Sequence, residues 1–107
     1  MASAKITQLQ LLQQNLQNVL SQKQQIESEI IEVNSAVSQL QSTSSAYKIV
    51  GKIMVSVARE NLISELGARG EVLEIRLQNC TKQEEKIKAS MEKVQQEVVQ
   101  EMRSKNE

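Results

Sequence analysis

Leu9, Leu12, Leu16, Val19, Lys23, Ile26, Ile30, Val33, Val37 and Leu40 are spaced alternately three and four residues apart. Side chains at that spacing fall on one narrow stripe of an α-helix, the a/d seam of a coiled coil. The pattern holds for more than four heptads, and Lys23 is its one polar member. The other faces carry Gln, Asn, Ser and Glu, so this helix has a single stripe to bury. At 1.5 Å per residue, about 37 residues would run roughly 55 Å. A helix of that length cannot fold back on itself and needs a second one beside it.

The second half of the chain supplies the partner. One series is Ile63, Gly70, Leu77, Glu84, Met91 and Val98; the other is Leu66, Leu73, Cys80, Ile87, Val94 and Glu101. Its outer faces mix both charges, with helix-supporting pairs expected at Glu65–Arg69, Glu84–Lys88 and Glu101–Lys105. Gly67 and Gly70 each cost about 1 kcal/mol against alanine in a helix interior. Either a close backbone approach requires them or the helix start is locally weak. Two such helices predict an antiparallel intrachain coiled coil. Facing seam positions then have residue numbers summing to about 103 or about 110. Either register leaves Lys23 one layer from Glu84, so the two seam-breaking charges are expected to answer each other. Such a pair fixes register more than it stabilises. The alternative is that Lys23 runs its methylenes along the seam and reaches water.

Between the helices, Gln41-Ser-Thr-Ser-Ser-Ala46 reads as a joint, because Ser and Thr compete for helical backbone bonds. Tyr-Lys-Ile-Val-Gly-Lys-Ile-Met-Val-Ser-Val-Ala follows at 47–58. Its β-branched residues and Tyr47 suit a pleated backbone. Gly51-Lys52 fits a two-residue type II′ turn. That turn pairs Val50 with Ile53, Ile49 with Met54 and Lys48 with Val55. One face then carries Val50, Ile53, Val55 and Val57; the other carries Tyr47, Ile49, Met54 and Ser56. Both faces are largely apolar, and a lone hairpin is marginal in water with two unpaired edges. Something outside the chain is expected to complete it. The expected layout is one domain over 1–107: helix 5–42, β-hairpin 46–58, helix 60–104.

The composition excludes most chemistry. The 107 residues include no His, Trp, Phe or Pro, and one Tyr and one Cys. A globular core of this size would use more aromatic area. Thirteen basic residues balance thirteen acidic ones, so there is no basic footprint for nucleic acid and no aromatic platform for single strands. Without His there is no imidazole base or ligand, and one Cys cannot build a zinc site. The glycines at 51, 67 and 70 match no phosphate-binding loop. Cys80 occupies a seam position and reads as a small hydrophobe rather than a nucleophile. No catalytic residue, metal or cofactor is expected. No apolar run approaches the length of a membrane span and no signal peptide is read at the start, so a soluble cytoplasmic protein is the default expectation.

Near the termini the apolar residues exceed what the seam uses. Ile6 and Leu11 join Leu9, Leu12 and Leu16; Val99 and Met102 join Val94 and Val98. No further helix of this chain covers them. They could grip apolar segments of another protein, as adaptable Leu and Met do. Ordinary seam plus fraying is the plainer reading, and composition alone favours it.

The order helix, Ala-Tyr-Lys-Ile-Val-Gly-Lys-Ile-Met-Val-Ser-Val, helix resembles the beta-class subunit of prefoldin. The specific part is Tyr47-Lys48-x-Val50-Gly51 with Val55, then Leu73-Glu74-x-Arg76-Leu77 and Gln83-Glu84-x-Lys86-Ile87. The resemblance covers essentially the whole chain, and there is room for one hairpin, as in the beta class, rather than the two of the alpha class. Departures are the Ser/Thr-rich joint and the glycines at 67 and 70. The resemblance implies a hexameric, ATP-independent cochaperone. Hairpin residues Tyr47, Ile49, Val50, Gly51, Ile53, Met54, Val55 and Val57 would join an intersubunit β-barrel with alpha-class subunits and other beta copies. Ile6, Leu9, Leu11, Leu12, Leu16, Val94, Val98, Val99 and Met102 would hold non-native proteins for a cytosolic group II chaperonin. A two-alpha, four-beta assembly implies an archaeal chain, and six different subunits a eukaryotic one; both stay open. The competing expectation is a structural or tethering coiled coil whose hairpin merely caps it. A small-molecule enzyme is opposed by the missing catalytic side chains.

Overall fold

The computed structural model describes residues 2–106, and the side chains of 4–104. The element order is α1 (Ala2–Gln41), β1 (Ala46–Val50), β2 (Ile53–Val57) and α2 (Arg59–Asn106). The chain is mainly α, an antiparallel helical pair joined by one β-hairpin. It forms two compact units. One joins the helical segments up to Gln24 and from Gln78 onward; the other is Gln25–Leu77 and contains the hairpin.

Burial follows the seam in both units. In the terminal unit Val19, Cys80 and Val94 are buried, with Leu9, Leu12, Leu16, Ile87, Met91 and Val98 half-buried. In the hairpin unit Ile26, Val33 and Leu73 are buried, Leu73 most completely at 2% exposure. Every seam position is buried or half-buried, Lys23 and Glu84 included. A period of 3.5 can be kept this strictly only if both stripes face each other. Cys80 is a free thiol packed in that seam, where it acts as a small apolar side chain.

Lys23 and Glu84 do meet. The Lys23 ammonium donates to the Glu84 carboxylate at 3.0 Å, and Lys88 donates to the other oxygen at 2.8 Å. The Glu84 side chain is only 13% exposed. The hydrogen bond from Lys88, and next that from Lys23, hold its carboxyl below the ordinary value. A depressed carboxyl adds stability above its ordinary pKa and loses it as pH falls through the folded value. Wild type is therefore expected to lose more stability than Glu84→Gln between about pH 6 and about pH 3 in denaturant melts. A cycle of Lys23→Met and Glu84→Leu should show favourable coupling that shrinks with salt; additive effects would remove the pair.

The helix termini show why the elements end where they do. At the end of α1, the Ser42 amide and hydroxyl both donate to the Gln39 carbonyl, at 3.2 and 3.0 Å. Thr43 Oγ1 accepts from the Ser45 amide at 3.3 Å, so the Ser/Thr joint bonds to itself. Arg59, the first residue of α2, donates from Nε to the Leu40 carbonyl and from Nη2 to the Gln41 carbonyl. A guanidinium there satisfies orphan carbonyls and opposes the negative end of the α1 dipole. That is why α2 begins one residue before the expected 60. At the other end the ordered helices extend beyond 5 and 104. Lys5 binds Glu101 at 2.8 Å and Glu97 at 3.3 Å, and the Glu101 bond leads in raising the Lys5 ammonium above its ordinary value.

Two expectations need correction. Glu65 and Arg69 do not pair along α2. Glu65 takes Lys48 of β1 at 2.6 Å, and Arg69 reaches Glu29 of α1 at 3.7 Å. Tertiary neighbours here offer charge as close as the next turn does. Lys105 lies outside the described side chains, so the Glu101–Lys105 pair is not defined. Close approach also fails to explain Gly67 and Gly70. A Cβ on Gly67 would meet nothing within 4 Å, and one on Gly70 would sit 3.7 Å from Val33 Cγ1, an ordinary contact. Gly67→Ala and Gly70→Ala should each raise stability by about 0.5–1 kcal/mol in a thermal or denaturant melt. A loss at either site would show that the helix needs its glycine.

Candidate functional site

Two surfaces stand out, one in each unit. The first is the hairpin. β1 and β2 pair antiparallel as Val50↔Ile53, Ile49↔Met54, Lys48↔Val55, Tyr47↔Ser56 and Ala46↔Val57. Gly51 has φ of 63°, and no non-glycine among the described residues has positive φ. A type I′ turn would need positive φ at Lys52 as well, so the turn is the II′ form. Only the end nearest the helices is covered: Ala46 is buried and Val57 half-buried. Tyr47, Ile49, Val50, Ile53, Met54 and Val55 are all exposed, with Ile49 at 69% and Ile53 at 68%. These two lie on opposite faces, so neither face of the ribbon is packed. The sheet has two strands, and each keeps an unpaired edge. Beneath it, a groove of about 440 Å³ is lined by Leu40, Tyr47, Ile49, Leu62 and Leu66 among others. The Lys48–Glu65 bridge ties β1 to α2 at the groove's margin.

The second surface is in the terminal unit. Ile6, Leu11, Val99 and Met102 are exposed, Leu11 at 58%. Leu9, Leu12, Leu16 and Val98 are half-buried in the seam. Val94 is 5% exposed and serves the core, because its d-type position points at the opposing helix. The candidate surface therefore narrows to the four off-seam residues and the edges of the half-buried ones. Leu20, Ile31, Val72 and Ile75 are also exposed and off the seam. Heptad counting assigns such positions to solvated faces and carries no signal for them. Among the described residues no cluster of His, Cys, Asp or Glu could hold a metal, and no helix is long and apolar enough to cross a membrane.

Residues 3–105 match the family model described as prefoldin subunit. The chain belongs to the prefoldin family, in its beta class. The prefoldin beta subunit of Archaeoglobus fulgidus is 36% identical over 96 residues, covering 87% of this chain and 83% of that protein. The Sulfurisphaera tokodaii prefoldin beta subunit is 38% identical over 96 residues, covering 87% and 77%. The crystal structure of the prefoldin beta subunit from Thermococcus strain KS-1 superposes with a TM-score of 0.85 at 30% identity, covering 91% of this chain and 88% of that one. Helix, single hairpin and helix thus recur in a solved prefoldin beta subunit. Prefoldin subunits are non-enzymatic chaperone components, and the absence of an acid–base or metal constellation in this sequence accords with that.

Proposed function

We propose that this chain is a subunit of an ATP-independent hexameric cochaperone, built with alpha-class prefoldin subunits and further beta copies and working in the cytoplasm. Its hairpin enters an intersubunit β-barrel. Its terminal segments hold non-native proteins and deliver them to a group II chaperonin. The observation that carries the reading is the hairpin: six large side chains exposed on both faces of a two-stranded ribbon with open edges. Water is a poor neighbour for that surface, and a barrel removes both edges and buries both faces. The groove beneath the ribbon offers further apolar area to whatever docks.

Client binding is supported by Ile6, Leu11, Val99 and Met102, which leave apolar area open where the seam has no use for it. Leu9, Leu12, Leu16 and Val98 contribute their half-buried edges, and Val94 supports them from the core. Covering this area with apolar segments of an unfolded chain costs few hydrogen bonds and needs no particular sequence. The test is mass measurement with and without an alpha-class partner, followed by suppression of aggregation of a denatured protein. A defined heteromer that suppresses aggregation is expected. A heteromer with no effect on aggregation would leave a structural coiled coil.

A further inference from the structure

The terminal unit holds a second feature that neither the hairpin nor the apolar ends explain. Residues 6–22 contain no charged side chain, yet amides crowd them. In the structure Asn15, Asn18 and Gln22 of α1 face Gln83 of α2 across a groove of about 520 Å³. Val19 and Ile87 form its floor, and Lys86 stands at its margin. Val19 is buried and Ile87 half-buried, whereas the four amides are exposed. Among the described residues none of these amides has a hydrogen-bond partner within the chain.

Solvated coiled-coil faces usually carry charge, because charge supports the helix and keeps it soluble. A neutral wall of amides over an apolar floor is a different surface. A carboxamide both donates and accepts, so it can bond a peptide N–H or a peptide C=O in either chain direction. The spacing also suits an extended chain. Asn18 and Gln22 are four residues apart on α1, a rise of about 6 Å. An extended peptide presents successive groups on one edge about 6.7 Å apart, a difference that flexible amide side chains absorb. Alternate side chains of such a segment would point to Val19 and Ile87.

We propose that this groove binds the backbone of an extended, non-native polypeptide segment, with Asn15, Asn18, Gln22 and Gln83 as the hydrogen-bonding groups. The inference rests on the client reading above and adds to it a site that reads backbone rather than apolar side chains. Such a site selects for the unfolded state itself, because folded proteins have already paired their backbone groups.

The test uses the full chain in its native oligomer and two fluorescent peptides alternating valine and serine. The peptides are identical except that one is N-methylated at alternate residues, which removes those backbone donors. Wild type is expected to bind the methylated peptide at least about tenfold more weakly. Replacing all four groove amides (Asn15→Ala, Asn18→Ala, Gln22→Ala and Gln83→Ala) should weaken the plain peptide and erase the difference between the two. Gln10→Ala, Gln17→Ala and Gln24→Ala, outside the groove, should change neither. Alanine is the stronger helix former, so an unchanged circular dichroism spectrum is expected. If the four-alanine chain still discriminates as wild type does, or wild type does not discriminate, the groove proposal is wrong and the client reading stands. If wild type binds neither peptide and protects no denatured protein, both fall together.

Discussion

Replacing Ile49 and Ile53 together by aspartate is expected to leave a helical chain that no longer assembles. The two residues are 69% and 68% exposed within the chain, so the change touches no intrachain core. They lie on opposite faces of the ribbon, and each aspartate therefore spoils one face. Burying an isoleucine side chain stabilises by about 1.5–3 kcal/mol, so two lost contacts weaken association by about two to four orders of magnitude. Desolvating two carboxylates adds to that. Far-ultraviolet circular dichroism should be unchanged, while light scattering should report free chain at concentrations where wild type is fully assembled with its partners. The single substitutions then tell which face carries the larger share. A double variant that still assembles at the wild-type mass would show that the hairpin is an ornament of the coiled coil.

Much of this fold was legible because its information is periodic or local. Two heptad series put every seam residue in or near the core without any aromatic anchor. Lys23 and Glu84 were legible as a pair only because an antiparallel register brings their positions together; nothing within either helix suggests it. The hairpin register followed from Gly51, since one residue with positive φ decides which residues face one another. What sequence could not reveal depends on distances between segments remote in the chain. Arg59 looks like an ordinary helix-start residue until α1 ends beside it and offers the Leu40 and Gln41 carbonyls. Glu65 and Arg69 have the spacing of a helical pair, yet Lys48 and Glu29 lie within reach and take them instead. Exposed pairs of that kind differ by tenths of a kcal/mol, so local spacing decides little. The amide groove was missed for a related reason. Gln and Asn on a helix read as solvated filler until α2 is seen opposite them.

Changing Ile6, Leu11, Val99 and Met102 together to serine is expected to abolish protection of a denatured protein while leaving the oligomer intact. All four side chains are exposed, so their loss removes surface rather than seam. Covering a half-exposed residue of this size contributes about 1 kcal/mol, and four of them together correspond to about two orders of magnitude or more in client affinity. Val94→Ala is the informative contrast. It removes methyl groups from a buried seam position and should lower stability by about 1–2 kcal/mol, yet leave client binding largely in place at temperatures well below melting. The two variants thus separate a damaged arm from a blunted one. Aggregation assays against reduced or chemically denatured proteins, with the oligomer's mass measured in parallel, give both readings. Full protection by the four-serine oligomer would mean that the apolar ends are incidental. Loss of protection with Val94→Ala alone, at unchanged mass and melting temperature, would move the client surface into the seam.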